Sequence, residues 1–96
     1  MEVGKYRFHR RAMMAFHQLP SAEQAQVLER LTALVALPPD RWSAAGLQKL
    51  ASDPSLYLLR VNDSLRVILR VADGPSVEVL DVVRHETLEL FAATGV

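Results

Sequence analysis

Apolar residues recur along this chain with two different periods, and the switches between them mark out its elements. VGKYRF, residues 3–8, alternates and ends in Tyr6 and Phe8, which predicts a first strand. From His9 the period changes. Phe8, Ala12, Phe16 and Leu19 follow one another at helical spacing, and Pro20 ends that helix. Ser21 with Gln24 three residues on reads as a capping box, and Glu23 suits the positive end of a helix dipole. Val27, Leu28, Leu31, Leu34 and Val35 then give a second amphipathic helix, stopped by Pro38-Pro39. The short Leu19-Pro20-Ser21 link folds the two helices into a hairpin. Residues 38–55 are rich in Pro, Gly, Ser and Asp and read as a connector, with one short apolar piece at Gly46–Leu50. Trp42 lies in this connector, and its ring is expected to cover the core edge rather than to stack on a base.

From Leu56 the period is two. LYLLRV, the turn NDS, LRVILRV, the turn ADGPS and VEVLDVV form a three-stranded meander. A loop at Asn62-Asp63-Ser64 puts Arg60 opposite Arg66 and Leu58 opposite Ile68. A loop at residues 72–76 puts Arg70 opposite Glu78, Ile68 opposite Leu80 and Arg66 opposite Val82, with Arg84 diagonal to Arg66. Alternation then collects Tyr57, Leu59, Val61, Leu65, Val67, Leu69, Val71, Val77, Val79 and Val83 on one face. That face is apolar and must carry the helices. Asp81 is its one misfit, so it sits at the rim or a bulge shifts the register beside it. The tail HETLELFAATGV reads as a short helical turn or two, with Leu88 and Phe91, and then a frayed end. The fold class expected is α+β: one domain spanning residues 1–96, with an N-terminal strand and helix hairpin packed on an antiparallel sheet of about four strands.

Composition agrees with a single globular domain: 96 residues, 50% hydrophobic and 23% charged. Cysteine is absent, which excludes disulfides, thiolate metal sites and thiol nucleophiles and fits a reducing, cytoplasmic setting. No apolar run approaches the ~18–20 residues of a membrane span, and MEVGKYRFHRR does not read as a secretory signal. No phosphate loop, HExxH, paired carboxylates or Ser/His/Asp set is present, so a hydrolase of a familiar type or a metalloenzyme is not expected, and no cofactor is implied.

Net charge is zero, but residues 1–50 hold seven basic and four acidic groups while residues 51–96 hold four arginines and seven acids. A neutral total can therefore hide a basic patch. On the second sheet face Glu78 is expected to pair with Arg70, whereas Arg60 and Arg66 have no such partner. Like charges directly opposite are unfavourable. A face that gathers Arg60, Arg66 and Arg84 without an acid reads as an anion site, since guanidinium suits forked phosphate recognition. A solvated face with splayed side chains is the alternative. His9 and His17 read as surface groups. His85 differs because it follows the arginines at a strand end, and histidine is the side chain that moves protons near neutral pH.

These residues carry a resemblance. KYRFHRRAMMAFHQLP, the second helix ending near Leu37-Pro38, the QKL segment, LYLLRVNDSLRVILRV and VEVLDVVRHETL together resemble the RelE/ParE superfamily of toxin–antitoxin toxins over nearly the whole chain. The resemblance implies a type II toxin neutralised by a cognate antitoxin. RelE-like members cut messenger RNA on the ribosome without a metal, and ParE-like members instead inhibit DNA gyrase. A degenerate toxin that keeps only antitoxin binding is a third reading. Under the nuclease reading Arg66 matches the arginine placed on the scissile phosphate, Arg60 matches a basic position on the preceding strand, and His85 falls at an acid/base position. Arg84, Lys49 of the QKL segment and Phe91 are the implied RNA contacts. Phe91 stands roughly where many such nucleases have a tyrosine. Phenylalanine stacks on a base but carries no proton.

Overall fold

The computed structural model describes residues 2–3, 6–50, 55–72 and 76–86. Its elements are β1 (Glu2–Val3), β2 (Tyr6–Phe8), α1 (Arg10–His17), α2 (Ser21–Val35), β3 (Leu47–Lys49), β4 (Leu56–Arg60), β5 (Leu65–Ala72) and β6 (Ser76–Arg84). The strands form one sheet in the order β1-β2-β6-β5-β4-β3. The fold is α+β with the helices on the apolar face, as the pattern requires. The sheet is larger and less uniform than expected. The first strand divides into a short antiparallel pair, the Gly46–Leu50 piece supplies edge strand β3, and β2 joins β6 in parallel. The parallel pair arises because the chain leaves β2 through both helices and returns to β2's side only as β6.

The core is built by the predicted positions. Ala12 and Phe16 of α1 and Val27, Leu31 and Leu34 of α2 are buried against Leu59, Leu65, Val67, Leu69, Val77 and Val79. Each large aliphatic side chain so buried contributes about 1.5–3 kcal/mol. Phe8 and Phe16 meet edge to face at 5.3 Å, locking β2 to α1. The Tyr6 hydroxyl lies 3.3 Å from Thr32 Oγ1, tying β2 to α2. Trp42 is 5% exposed and donates from Nε1 to the Leu37 carbonyl at 3.0 Å, so it closes the core edge and is not available to a base.

The capping box does not form. Pro20 is the N-cap of α2, and its carbonyl accepts from the amides of Glu23 and Gln24. With the helix begun one residue early, Ser21 lies inside it. The Gln24 side chain instead donates backwards to the Leu19 carbonyl at 3.0 Å, clamping the helix link.

The first hairpin has the expected register, with Arg60 opposite Arg66 and Leu58 opposite Ile68. The second agrees only at its loop end, where Arg70 faces Glu78 and Leu69 faces Val79. Between Ile68 and Leu69 the register shifts, and Ile68 then faces Asp81, Arg66 faces Val83 and Leu65 faces Arg84. Leu80 is the extra residue of a β-bulge. The bulge resolves the Asp81 misfit: the carboxylate stays off the core face, and Asp81 Oδ1 accepts from the Val82 amide at 2.8 Å. Every later residue changes face as a result. Val82 enters the core at 7% exposure, Val83 moves to the open face, and Arg84 turns to the helix side.

Candidate nucleic-acid interface

The open face of the sheet is where β4 and β5 set their arginines. Arg60 and Arg66 are directly opposite and carry the like-charge strain that such a pair implies. Both lean toward the hairpin loop to relieve it. Arg66 Nη1 donates to the Asn62 carbonyl and, at 3.1 Å, to the Leu65 carbonyl. Arg60 pairs with Asp63, a carboxylate that is itself 94% exposed. The expectation that Arg60 lacks an acid is therefore corrected, because the turn residue three positions on reaches back to it. No carboxylate lies within 4 Å of Arg66 among the described residues. The two guanidinium groups share the wall of a concavity of about 300 Å³ lined also by Ser43, Gly46, Gln48 and Leu58. Gly46 forms part of its floor, at φ 93°, a conformation that favours glycine.

Arg84 is not on this face. It lies on the helix side, where Nη1 and Nη2 donate to the two oxygens of Glu23 at 2.8 and 2.7 Å. The Arg84 bond holds the Glu23 carboxyl below the usual carboxylate range, against a smaller opposing effect of burial, and Glu23 in turn raises the Arg84 pKa. Asn62 donates to Glu23 at 3.3 Å and to Gln26 at 2.8 Å, and its side-chain oxygen accepts from Ser64. The bulge thus converts a predicted phosphate ligand into a bolt between β6, α2 and the loop that holds Arg66. Glu23, read from sequence as a dipole partner, is the centre of that bolt.

His85 follows Arg84, and its amide donates to the Ser64 carbonyl at 2.8 Å, so it stands at the same end of the sheet as Arg66. Lys49 is set apart. It faces Tyr57 and lines a separate groove of about 270 Å³ with Trp42, Leu47 and Val71, on the helix side of β3. Its neighbour Gln48 takes the open-face position. Phe91 and the rest of the tail after Glu86 lie outside the described residues.

At the far end of the open face Glu78 is taken by β2 and the residue after it. Glu78 accepts from Arg7 at 3.2 Å, and His9 Nε2 bonds the same oxygen at 2.9 Å. These bonds, His9's first, hold the Glu78 carboxyl below its ordinary range. The Arg70 side chain, expected to take Glu78, is displaced by these two. The parallel strand β2 brings Arg7 opposite Glu78, a neighbour the meander pattern cannot reveal.

Solved structures share this fold. No protein-family model matches the sequence, and the curated proteins give no significant match. Among solved structures, a chain of the intact E. coli RelBE toxin–antitoxin complex is 26% identical with a TM-score of 0.66, over 81% of this chain and 92% of that one. A chain of the archaeal RelE–RelB complex from Pyrococcus horikoshii OT3 is 25% identical with a TM-score of 0.64, over 83% and 92%. The chain belongs to the RelE/ParE toxin superfamily. A chain of the RelBE2 toxin–antitoxin complex from Mycobacterium tuberculosis, 23% identical with a TM-score of 0.68 over 84% and 90%, shares the fold. Within this fold, Arg66 combines the lack of a carboxylate within 4 Å among the described residues with a place at the concavity it shares with Arg60.

Proposed function

We propose that this chain is the toxin of a type II toxin–antitoxin pair and that it cuts messenger RNA on the ribosome. The observation that carries the reading is Arg66, free of any carboxylate within 4 Å among the described residues, beside Arg60 at a concavity on the face the helices leave open. A guanidinium without an internal anion is suited to bind an external one. In the reaction the ribose 2′-oxygen attacks the adjacent phosphorus and its proton leaves to a base. The P–O5′ bond breaks, giving a 2′,3′-cyclic phosphate and a 5′-hydroxyl that takes up a proton. Arg66 holds the scissile phosphate and Arg60 shares the charge that grows on the phosphorane. His85 moves a proton. A cognate antitoxin is the proposed inhibitor, because the similar structures are of toxin–antitoxin complexes.

The experiment is induced expression followed by primer-extension mapping of transcripts. Cleaved transcripts with 5′-hydroxyl ends support the proposal. Intact transcripts with DNA damage point instead to gyrase inhibition, and growth without effect points to a chain that only binds antitoxin.

A further inference from the structure

A second cavity, about 470 Å³, lies against the first and shares Gly46 and Arg60 with it. Its distinctive wall is Arg30, on α2. Arg30 reaches round the end of β4 and donates from Nε to the Arg60 carbonyl at 3.3 Å. That bond uses one of five guanidinium donors and leaves both terminal nitrogens available. Arg30 Nη2 stands 4.0 Å from where a Cβ would sit on Gly46, so the guanidinium lies beside the floor common to both cavities. Among the described residues no carboxylate lies within 4 Å of Arg30. The remaining lining is Ala44, Ala45, Val61 and Asn62, which adds no acid.

We infer that Arg30 and Arg60 form a second phosphate subsite, which holds the phosphodiester next to the scissile one in single-stranded RNA. The inference rests on the RNA reading above. Three arginines then follow one another past Gly46: Arg66, Arg60 and Arg30. Such a line follows the sugar–phosphate backbone and is indifferent to base identity. Gly46 suits the middle of it, since any larger residue would meet both its left-handed backbone and the phosphates passing over it. The geometry also gives Arg60 a double role. It contributes to both subsites, and its pairing with Asp63 is the internal competitor that RNA must displace.

The test measures binding of a fluorescent 2′-O-methyl RNA hexanucleotide, which cannot be cleaved, to the purified protein across a range of salt. For single strands, log K falls with log salt by about 0.7 for each phosphate neutralised. Arg30→Gln is expected to reduce that slope by about 0.7, and Arg30→Lys to restore most of it. Arg66→Gln should reduce it independently, so that the double variant loses about 1.4. A purely structural role for Arg30 would lower the melting temperature and leave the salt slope alone. An unchanged slope in Arg30→Gln, with a reduced slope in Arg66→Gln, overturns the subsite and leaves the nuclease reading standing. Absence of binding by the unsubstituted protein also overturns the subsite, and transcript mapping then decides the nuclease reading separately.

Discussion

Arg66 and Arg84 sit at the same end of adjacent strands, one step apart in the ladder, and face opposite ways. Arg84 meets Glu23 through both terminal nitrogens and is bound into a network with Asn62 and Ser64. Among the described residues Arg66 meets only backbone carbonyls. Its charge is oriented but not neutralised, which is the condition for binding an external phosphate. The same residue type therefore serves as a fastening on one face and as a ligand-ready cation on the other, and the bulge at Leu80 decides which. The two faces are also joined. Asn62 gives its carbonyl to Arg66 and its amide to Glu23 and Gln26, so the fastening on the helix side orients the cation on the open side.

The comparison is broken most severely by Arg66→Ala. Loss of one preorganised electrostatic donor lowers rate on the order of a hundredfold to a thousandfold. Folding should be little affected, since Arg66 is only half-buried and makes no ion pair among the described residues. Growth inhibition and transcript mapping read the first effect, and circular dichroism the second. Arg84→Ala should show the reverse balance. A stability loss of about 1 kcal/mol is expected for a partly exposed bidentate pair, read as a shift in urea midpoint, with a smaller fall in cleavage as the Asn62 loop loosens.

Acid should weaken the fastened regions selectively. Glu23 and Glu78 are both held below the ordinary carboxylate range, so their folded forms bind protons less readily than the unfolded chain. Their contribution is complete above about pH 4.3, the ordinary glutamate value, and is lost as pH falls through the lowered folded values. Urea midpoints measured from pH 7 downward should therefore decline in acid. Glu23→Gln should flatten part of that decline while lowering the midpoint at neutral pH. A decline that Glu23→Gln leaves unaltered would contradict the role given to the Arg84 pair.

Smaller effects sharpen the picture. Asp63→Asn removes the carboxylate that holds Arg60 and should tighten RNA binding by roughly two- to fivefold, matching the ~0.5–1 kcal/mol of an exposed pair. Arg70→Ala should change cleavage least of the open-face arginines, because it lies at the end of the sheet occupied by Glu78, Arg7 and His9.

Much of this arrangement is legible in the sequence, and its limits have physical causes. The helix faces and the first hairpin are written in period and turn residues, so the pairing of Arg60 with Arg66 follows from Asn62-Asp63-Ser64. Asp81 on an otherwise apolar face marks the bulge without saying which residue is extra. Placing that extra residue at Leu80 requires knowing that Val82 fits the core and Arg84 finds Glu23, a contact 61 positions apart in the chain. The parallel neighbour β2, which gives Glu78 to Arg7, is likewise a long-range event that no local pattern encodes. Lys49 is legible only as a cation in a connector, and the edge strand that carries it is not. Nor is the face of Lys49, because a three-residue strand gives alternation too little length to fix its register.

The central claim is that the hairpin end of the open face handles a scissile phosphate, and the Arg66→Ala, His85→Ala double variant tests it most directly. Expressed in cells with its fold verified by circular dichroism, it should permit normal growth, and primer extension should find no new 5′-hydroxyl ends. Full toxicity from the folded double variant, with transcripts cut as by the unsubstituted chain, would contradict the account.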